Sequence, residues 1–176
     1  MRVRLGTIDD AETIASLHLT SWQNTYASFM PERYLKEIAP VEMRQDWEKA
    51  LGSSAFASGN AILFIASDSD PIAGFIFAEL KDDGRVLIEF LHVAPGRLGG
   101  GIGTLLMRHA FEWAQTQHSG RDVYLEVWCD NTKAIGFYEH LGGRRTDTRT
   151  EQLTGFSLAE YEYTWSAQEV VDWLKE

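Results

Sequence analysis

The chain holds few residues that would staple or anchor it. Cys129 is the only cysteine, which excludes an internal disulfide. No apolar run approaches the length of a membrane span. Residues Met1 to Thr7 lack the apolar core of a signal peptide, so cytoplasmic residence without membrane contact is expected. Cations are scarce relative to anions: 16 Lys and Arg against 26 Asp and Glu give a net charge of −10. That balance argues against nucleic acid as a partner, which needs a positive surface. It suits a cationic substrate, or it only keeps the protein soluble. His18, His92, His109, His118 and His140 show no ligand spacing, so no metal site is expected.

What is present is enough for one domain, residues 1–176, with a full hydrophobic core. Val3 to Leu5 reads as a strand. Thr7 or Asp9 caps a helix whose Ala11, Ile14, Ala15, His18 and Trp22 share one face. Pro31 opens a short helix, Glu32 to Ile38, and Val41 to Leu51 reads as a third. Gly52 to Gly59 reads as a small-residue loop. Strands follow at Ala61 to Ala66 and Ile72 to Leu80, joined by a turn at Asp68-Ser69-Asp70-Pro71. Asp82-Asp83-Gly84 marks a hairpin into Val86 to Val93, a nearly continuous apolar run as in a central strand.

A helix over 101–118, a strand Val123 to Val127 and a helix Asn131 to His140 come next. Strands near Arg144 to Thr150 and Tyr161 to Trp165 follow. Ser166 and Glu169 form a capping box for a C-terminal helix over 166–176, which seals the domain or packs against a second copy in a homodimer. The pattern predicts an α/β domain with a mixed central sheet flanked by helices.

The densest signal is Pro95-Gly96-Arg97-Leu98-Gly99-Gly100-Gly101-Ile102-Gly103-Thr104, between the apolar strand and a helix. Glycines let a ligand approach the backbone, and a helix N-terminus offers unpaired N–H groups to an anion. Thr104 directly after Gly103 leaves no Lys for a Walker loop and no third Gly for a dinucleotide fingerprint.

With these residues the chain resembles the GNAT superfamily of N-acetyltransferases. In that family a strand ending Val-x-Pro leads into Gln/Arg-x-x-Gly-x-Gly/Ala; here Val93-Ala94-Pro95 leads into Leu98 to Gly103. The second signature, Asn-x-x-Ala-x-x-Phe-Tyr-x-x-x-Gly, reads Asn131, Ala134, Phe137, Tyr138 and Gly142. One position departs. Leu98 stands where the family has Gln or Arg, which removes a side-chain donor and leaves Arg97 as a substitute.

The resemblance implies the acyl-CoA N-acyltransferase fold and acetyl-coenzyme A as co-substrate. The coenzyme would meet Leu91, His92 and Val93, the loop Leu98, Gly99, Gly100, Gly101, Ile102, Gly103 and Thr104, and Asn131, Ala134, Phe137 and Tyr138. The acceptor would be the amine of a small molecule or a peptide. Tyr138 occupies the family's general-acid position; it also suits a core aromatic. Glu89, the one carboxylate in its apolar strand, is the candidate base or a paired carboxylate without catalytic task. His92 is the runner-up, on the opposite face by strict alternation. Trp22 and Tyr26, one helical turn apart, would hold a cationic amine beside Glu89, or simply fill the core. A coenzyme-binding or interaction module without turnover is the alternative on the same fold.

Overall fold

The computed structural model describes residues 1–68 and 71–175. One sheet of seven strands organises them: β1 Arg2–Leu5, β2 Ala61–Ser67, β3 Gly74–Leu80, β4 Val86–Val93, β5 Val123–Trp128, β6 Arg144–Leu153 and β7 Phe156–Trp165. Their spatial order is β1-β2-β3-β4-β5-β7-β6. All neighbours are antiparallel except β4 and β5, which are parallel because α4, Ile102–Gln117, crosses over between them. The expected turn at Asp68 to Pro71 includes Ser69 and Asp70, which lie outside the described residues, as does Glu176.

Helix α4 exists because one stripe of it is apolar throughout. Ile102, Leu106, Met107, Ala110, Phe111, Trp113 and Ala114 are all buried. They pack on Ile76, Val86, Ile88, Val123 and Leu125 of the sheet. Burying side chains of this size stabilises by roughly 1.5–3 kcal/mol each. Helix α6, Ala167–Leu174, joins the same layer; its Ser166 and Glu169 form the expected capping box, and Trp173 meets Phe111 edge-on at 5.2 Å. Helix α5, Thr132–His140, lies between β5 and β6. The opposite face is covered by α1, Ala11–Tyr26, and α2, Ala39–Leu51. There Ile14, Trp47, Leu51, Leu63, Ile65, Phe75 and Phe77 form a second core.

Three local expectations change. The short helix expected from Glu32 to Ile38 is present, but its Tyr34–Ile38 stretch is π-helical and runs without a break into α2. Pro40 sits in the first turn of α2; its ring would crowd the carbonyl of Lys36, and a widened turn relieves this. The loop after Leu51 contains a short helix, α3, Ser54–Ala57, because the Ser53 hydroxyl accepts the Phe56 N–H at 3.1 Å. The last two strands run to ten residues each. β6 is an edge strand exposed along most of its length, so it carries no alternating pattern to reveal it. Among the described residues, no helix is long and apolar enough to cross a membrane.

Candidate acyl-transfer site

β4 and β5 part company halfway along. They pair only from Val86 to Ile88 against Val123 to Leu125. Immediately beyond, Glu89 is an extra residue in the β3–β4 ladder: Ala78 opposes Ile88, and Phe77 opposes Phe90. This bulge bends β4 away and opens a gap in the middle of the sheet. Leu91, His92 and Val93 keep β3 on one side. On the other side no strand among the described residues takes their backbone, so its outward N–H and C=O groups line the gap.

The bulge also corrects the facing of His92. Val86 and Ile88 face the α4 layer, while Phe90 packs with the α1–α2 core. The extra residue cancels one step of alternation. His92 therefore turns toward α1, where its Nδ1 meets the Ser21 hydroxyl at 2.9 Å and its ring lies 4.4 Å from that of His18. Glu89 lies on this same side, within the fields of Asp46, Glu79, Lys81 and Glu126.

Glu89 is open to solvent, yet it stands in a concave place. Desolvation above all pushes its carboxyl up to about 7; Lys81 opposes it, and Glu79, Glu126 and Asp46 add smaller upward pushes. Glu126 is itself tied to Arg149 at 2.6 Å. His92 behaves oppositely: burial pushes its imidazole down to about 3, so it is neutral at ordinary pH. Glu89 is thus the stronger base of the two near neutrality.

The glycine segment sorts into three kinds of position. Gly96, Gly99 and Gly101 have φ of +82°, +78° and +77°, where a side chain is strained. Gly103 is small because Phe137 lies beneath it; an added Cβ would meet the ring at 3.1 Å. Gly100 is demanded by neither, since its added Cβ meets only the Arg97 carbonyl at 3.5 Å. Gly101 caps α4 without a side chain, so the first N–H groups of that helix keep no capping partner. Leu98 is 69% exposed beside this loop. Arg97 turns away from it, pairing with Asp68 at 2.6 Å on the surface.

The second motif builds the other wall. Asn131 caps α5, its Oδ1 accepting the Ala134 N–H at 3.3 Å, and its Nδ2 donates to the Tyr26 hydroxyl at 3.4 Å. Tyr138 is buried, and burial followed by the nearby Tyr26 hold its phenol well above the ordinary tyrosine range. It stays protonated at any physiological pH. Tyr26 is buried too, with its phenol pushed up to about 12. It meets Trp22 edge-on at 5.3 Å and does not line the pocket described next.

A pocket of about 150 Å³ opens on the α1–α2 side. Trp22, Tyr34, Trp47 and Phe90 wall it, with His18, Glu42, Asp46 and Leu153. Of these, Trp22 is the candidate named from the sequence. Glu42 and Asp46 are not readable there, because an i, i+4 acidic pair on a helix usually marks a solvated face. Leu153 arrives from the tip of the β6–β7 hairpin, which carries no sequence signal of its destination. Among the described residues, no cluster of three or more His, Cys, Asp or Glu could hold a metal ion.

The profile of the acetyltransferase (GNAT) family matches residues 19–143. The chain belongs to that family, and acetyl transfer is the family's reaction. Streptothricin acetyltransferase of Streptomyces lavendulae is 37% identical over 87 residues, 49% of this chain and 45% of that enzyme. The chain thus spans less than half the length of that relative. An uncharacterised N-acetyltransferase, YuaI of Bacillus subtilis, is 25% identical over 93% of this chain and 91% of its own. Among solved structures, the PaiA N-acetyltransferase of Thermoplasma acidophilum, in complex with coenzyme A, superposes with a TM-score of 0.74 at 19% identity, covering 94% of this chain and all of that one. Nourseothricin acetyltransferase superposes with a TM-score of 0.56 at 26% identity, over 61% of this chain and 66% of its own.

Proposed function

We propose that the protein transfers the acetyl group of acetyl-coenzyme A to a primary amine by direct attack. The observation that carries this is the opened sheet, whose gap runs from Glu89 past Leu91 to Val93 and leads into the glycine loop. The thioester supplies an activated acetyl carbon. The chain's residues fit that partner. Backbone N–H groups of Gly99 to Thr104 hold the pyrophosphate, with Asn131, Ala134 and Phe137 beside them. Since Leu98 is apolar and Arg97 is paired with Asp68, the backbone carries this contact. Unpaired backbone on Leu91 to Val93 aligns the pantetheine arm and donates to the acetyl oxygen.

Glu89 takes one proton from the bound ammonium, directly or through water. The freed nitrogen forms the N–C bond as the C–S bond breaks. Tyr138 gives its proton to the departing sulfur. The new amide nitrogen then sheds its second proton through water, which restores the Tyr138 phenol. A carboxyl titrating near 7 and a phenol held protonated suit these two tasks. The aromatic and acidic pocket fits a cationic acceptor.

The test is thiol release from acetyl-coenzyme A over a panel of amines, paired with calorimetric titration of acetyl-coenzyme A. Release with at least one amine supports the proposal. Tight coenzyme binding with no release on any amine points to a coenzyme-binding module instead.

A further inference from the structure

Glu42 is a carboxylate with its direction fixed and its charge unmatched. The Tyr34 hydroxyl donates to Oε2 at 2.8 Å, and the Thr154 hydroxyl donates to Oε1 at 2.7 Å. Both donors are neutral. Among the described residues, neither Glu42 nor Asp46 has an ion-pair partner, although Lys49 lies on the same helix near Asp46. The two acids are one helical turn apart on α2, and both line the aromatic pocket.

A second observation comes from the pocket wall. His18 is 2% exposed and also lines the pocket. The Trp47 indole N–H donates to its Nδ1 at 3.1 Å, which fixes that nitrogen as acceptor and puts the ring proton on Nε2. Nε2 is buried and has no partner among the described residues. A buried donor left unpaired is costly unless something accepts from it. The site therefore presents two carboxylates without an ion-pair partner among the described residues, aromatic faces that attract cations, and one idle donor; Phe90 of its wall is the neighbour of Glu89 in β4, and the Glu89 carboxyl feels Asp46.

We infer that the acceptor is a dibasic amine: one amino group is delivered to Glu89, and a second, cationic group sits between Glu42 and Asp46 against the aromatic wall. This rests on the amine-acetyltransferase reading and narrows it. An oxygen on the carbon chain joining the two groups, a carbonyl or a hydroxyl, would accept from His18 Nε2. The monoamine of equal length leaves the acidic pair unneutralised and forfeits that attraction.

The experiment has two arms on the intact chain. In the first, diaminobutane and diaminopentane are compared with butylamine and pentylamine in the thiol-release assay. The expected result is a kcat/KM preference of about tenfold or more for each diamine, carried mainly by KM. Glu42→Gln and Asp46→Asn should each shrink that preference, and the double change should bring it near unity. The Asp46 side chain makes no hydrogen bond among the described residues, so Asp46→Asn carries the test if Glu42→Gln loosens the hairpin. Equal kcat/KM for diamine and monoamine, or a preference unmoved by both substitutions, overturns the inference. The second arm titrates diaminopentane and pentylamine calorimetrically into wild type and Asp46→Asn. It reads the subsite without turnover. If no amine is acetylated but diaminopentane still binds more tightly through Asp46, the transferase reading fails and the subsite stands. If amines are acetylated without diamine preference, the subsite fails alone.

Discussion

Asn131 and Tyr26 join the two halves of the site: one amide caps α5 through Oδ1 and reaches the phenol at the end of α1 through Nδ2. These residues are 105 positions apart in the chain. The amide thereby sets the helix that carries Tyr138 against the helix that carries Trp22. Asn131→Ala should cost about 1 kcal/mol for the cap. The Tyr26 contact is long, so it adds little. Asn131→Asp keeps the cap acceptor and should recover most of the loss. Urea unfolding midpoints of the three proteins check this ordering.

Tyr138→Phe removes one hydroxyl from a buried ring. If that hydroxyl protonates the leaving sulfur, turnover should fall by about 100-fold or more. Acetyl-coenzyme A affinity should stay within about twofold, since the aromatic packing remains. Single-turnover kinetics with calorimetry separates the two effects. Unchanged turnover removes Tyr138 as the acid.

Glu89 must be ionised to accept a proton, and its carboxyl titrates at about 7. The kcat/KM of the transferase should therefore rise with pH through about 7 and level off above it. Glu89→Gln should abolish that limb and lower the plateau. A limb that persists in the variant assigns the titration to another group.

His92 makes stability, rather than rate, depend on acid. Its folded pKa is about 3, well below the usual value for an unfolded chain. As pH falls below about 6.5, the unfolded chain gains a proton that folded His92 refuses, so stability is lost from there down towards pH 3. His18, also buried and held low, adds in the same sense. The slope approaches about 1.4 kcal/mol per pH unit for each histidine. Glu89 acts oppositely between its unfolded and folded values, because the folded state binds that proton more tightly. His92→Gln keeps a polar partner for Ser21 and should flatten the acid slope. Urea midpoints from about pH 7 to about pH 4.5 measure it.

The glycine loop yields a paired test. Gly101→Ala strains a left-handed residue and should cost roughly 1–2 kcal/mol of stability. Gly100→Ala should leave stability within about 0.5 kcal/mol, yet weaken acetyl-coenzyme A, because its Cβ projects into otherwise open space. Thermal melts and calorimetric titrations read the two columns of this comparison separately.

Much of this arrangement is legible in the residues themselves. The α4 stripe, the Asp82 to Gly84 hairpin, the Ser166 cap and the Asn131 to Gly142 motif each rest on a local rule of period, turn or cap. What escapes is set by register and by distance. The Glu89 bulge leaves no mark in Val86 to Val93, because strict alternation and alternation with one inserted residue look alike in an apolar run. It is the bulge that turns His92 toward Ser21. Glu42 and Asp46 read as ordinary helix surface until Tyr34 and Leu153 close around them. Gly103 looks like its neighbours in the sequence, and only the ring of Phe137 shows that its smallness serves packing.

The Thr154 to Glu42 hydrogen bond spans 112 positions of the chain. During synthesis Glu42 leaves the ribosome long before Thr154 exists. The β3–β4 hairpin, α4 and the glycine loop can all assemble in that interval. The acidic pocket cannot, since its last wall is the tip of the final hairpin. The acidic pocket is therefore closed only after most of the sheet has been made, and loss of the C-terminal strands would leave it without that wall.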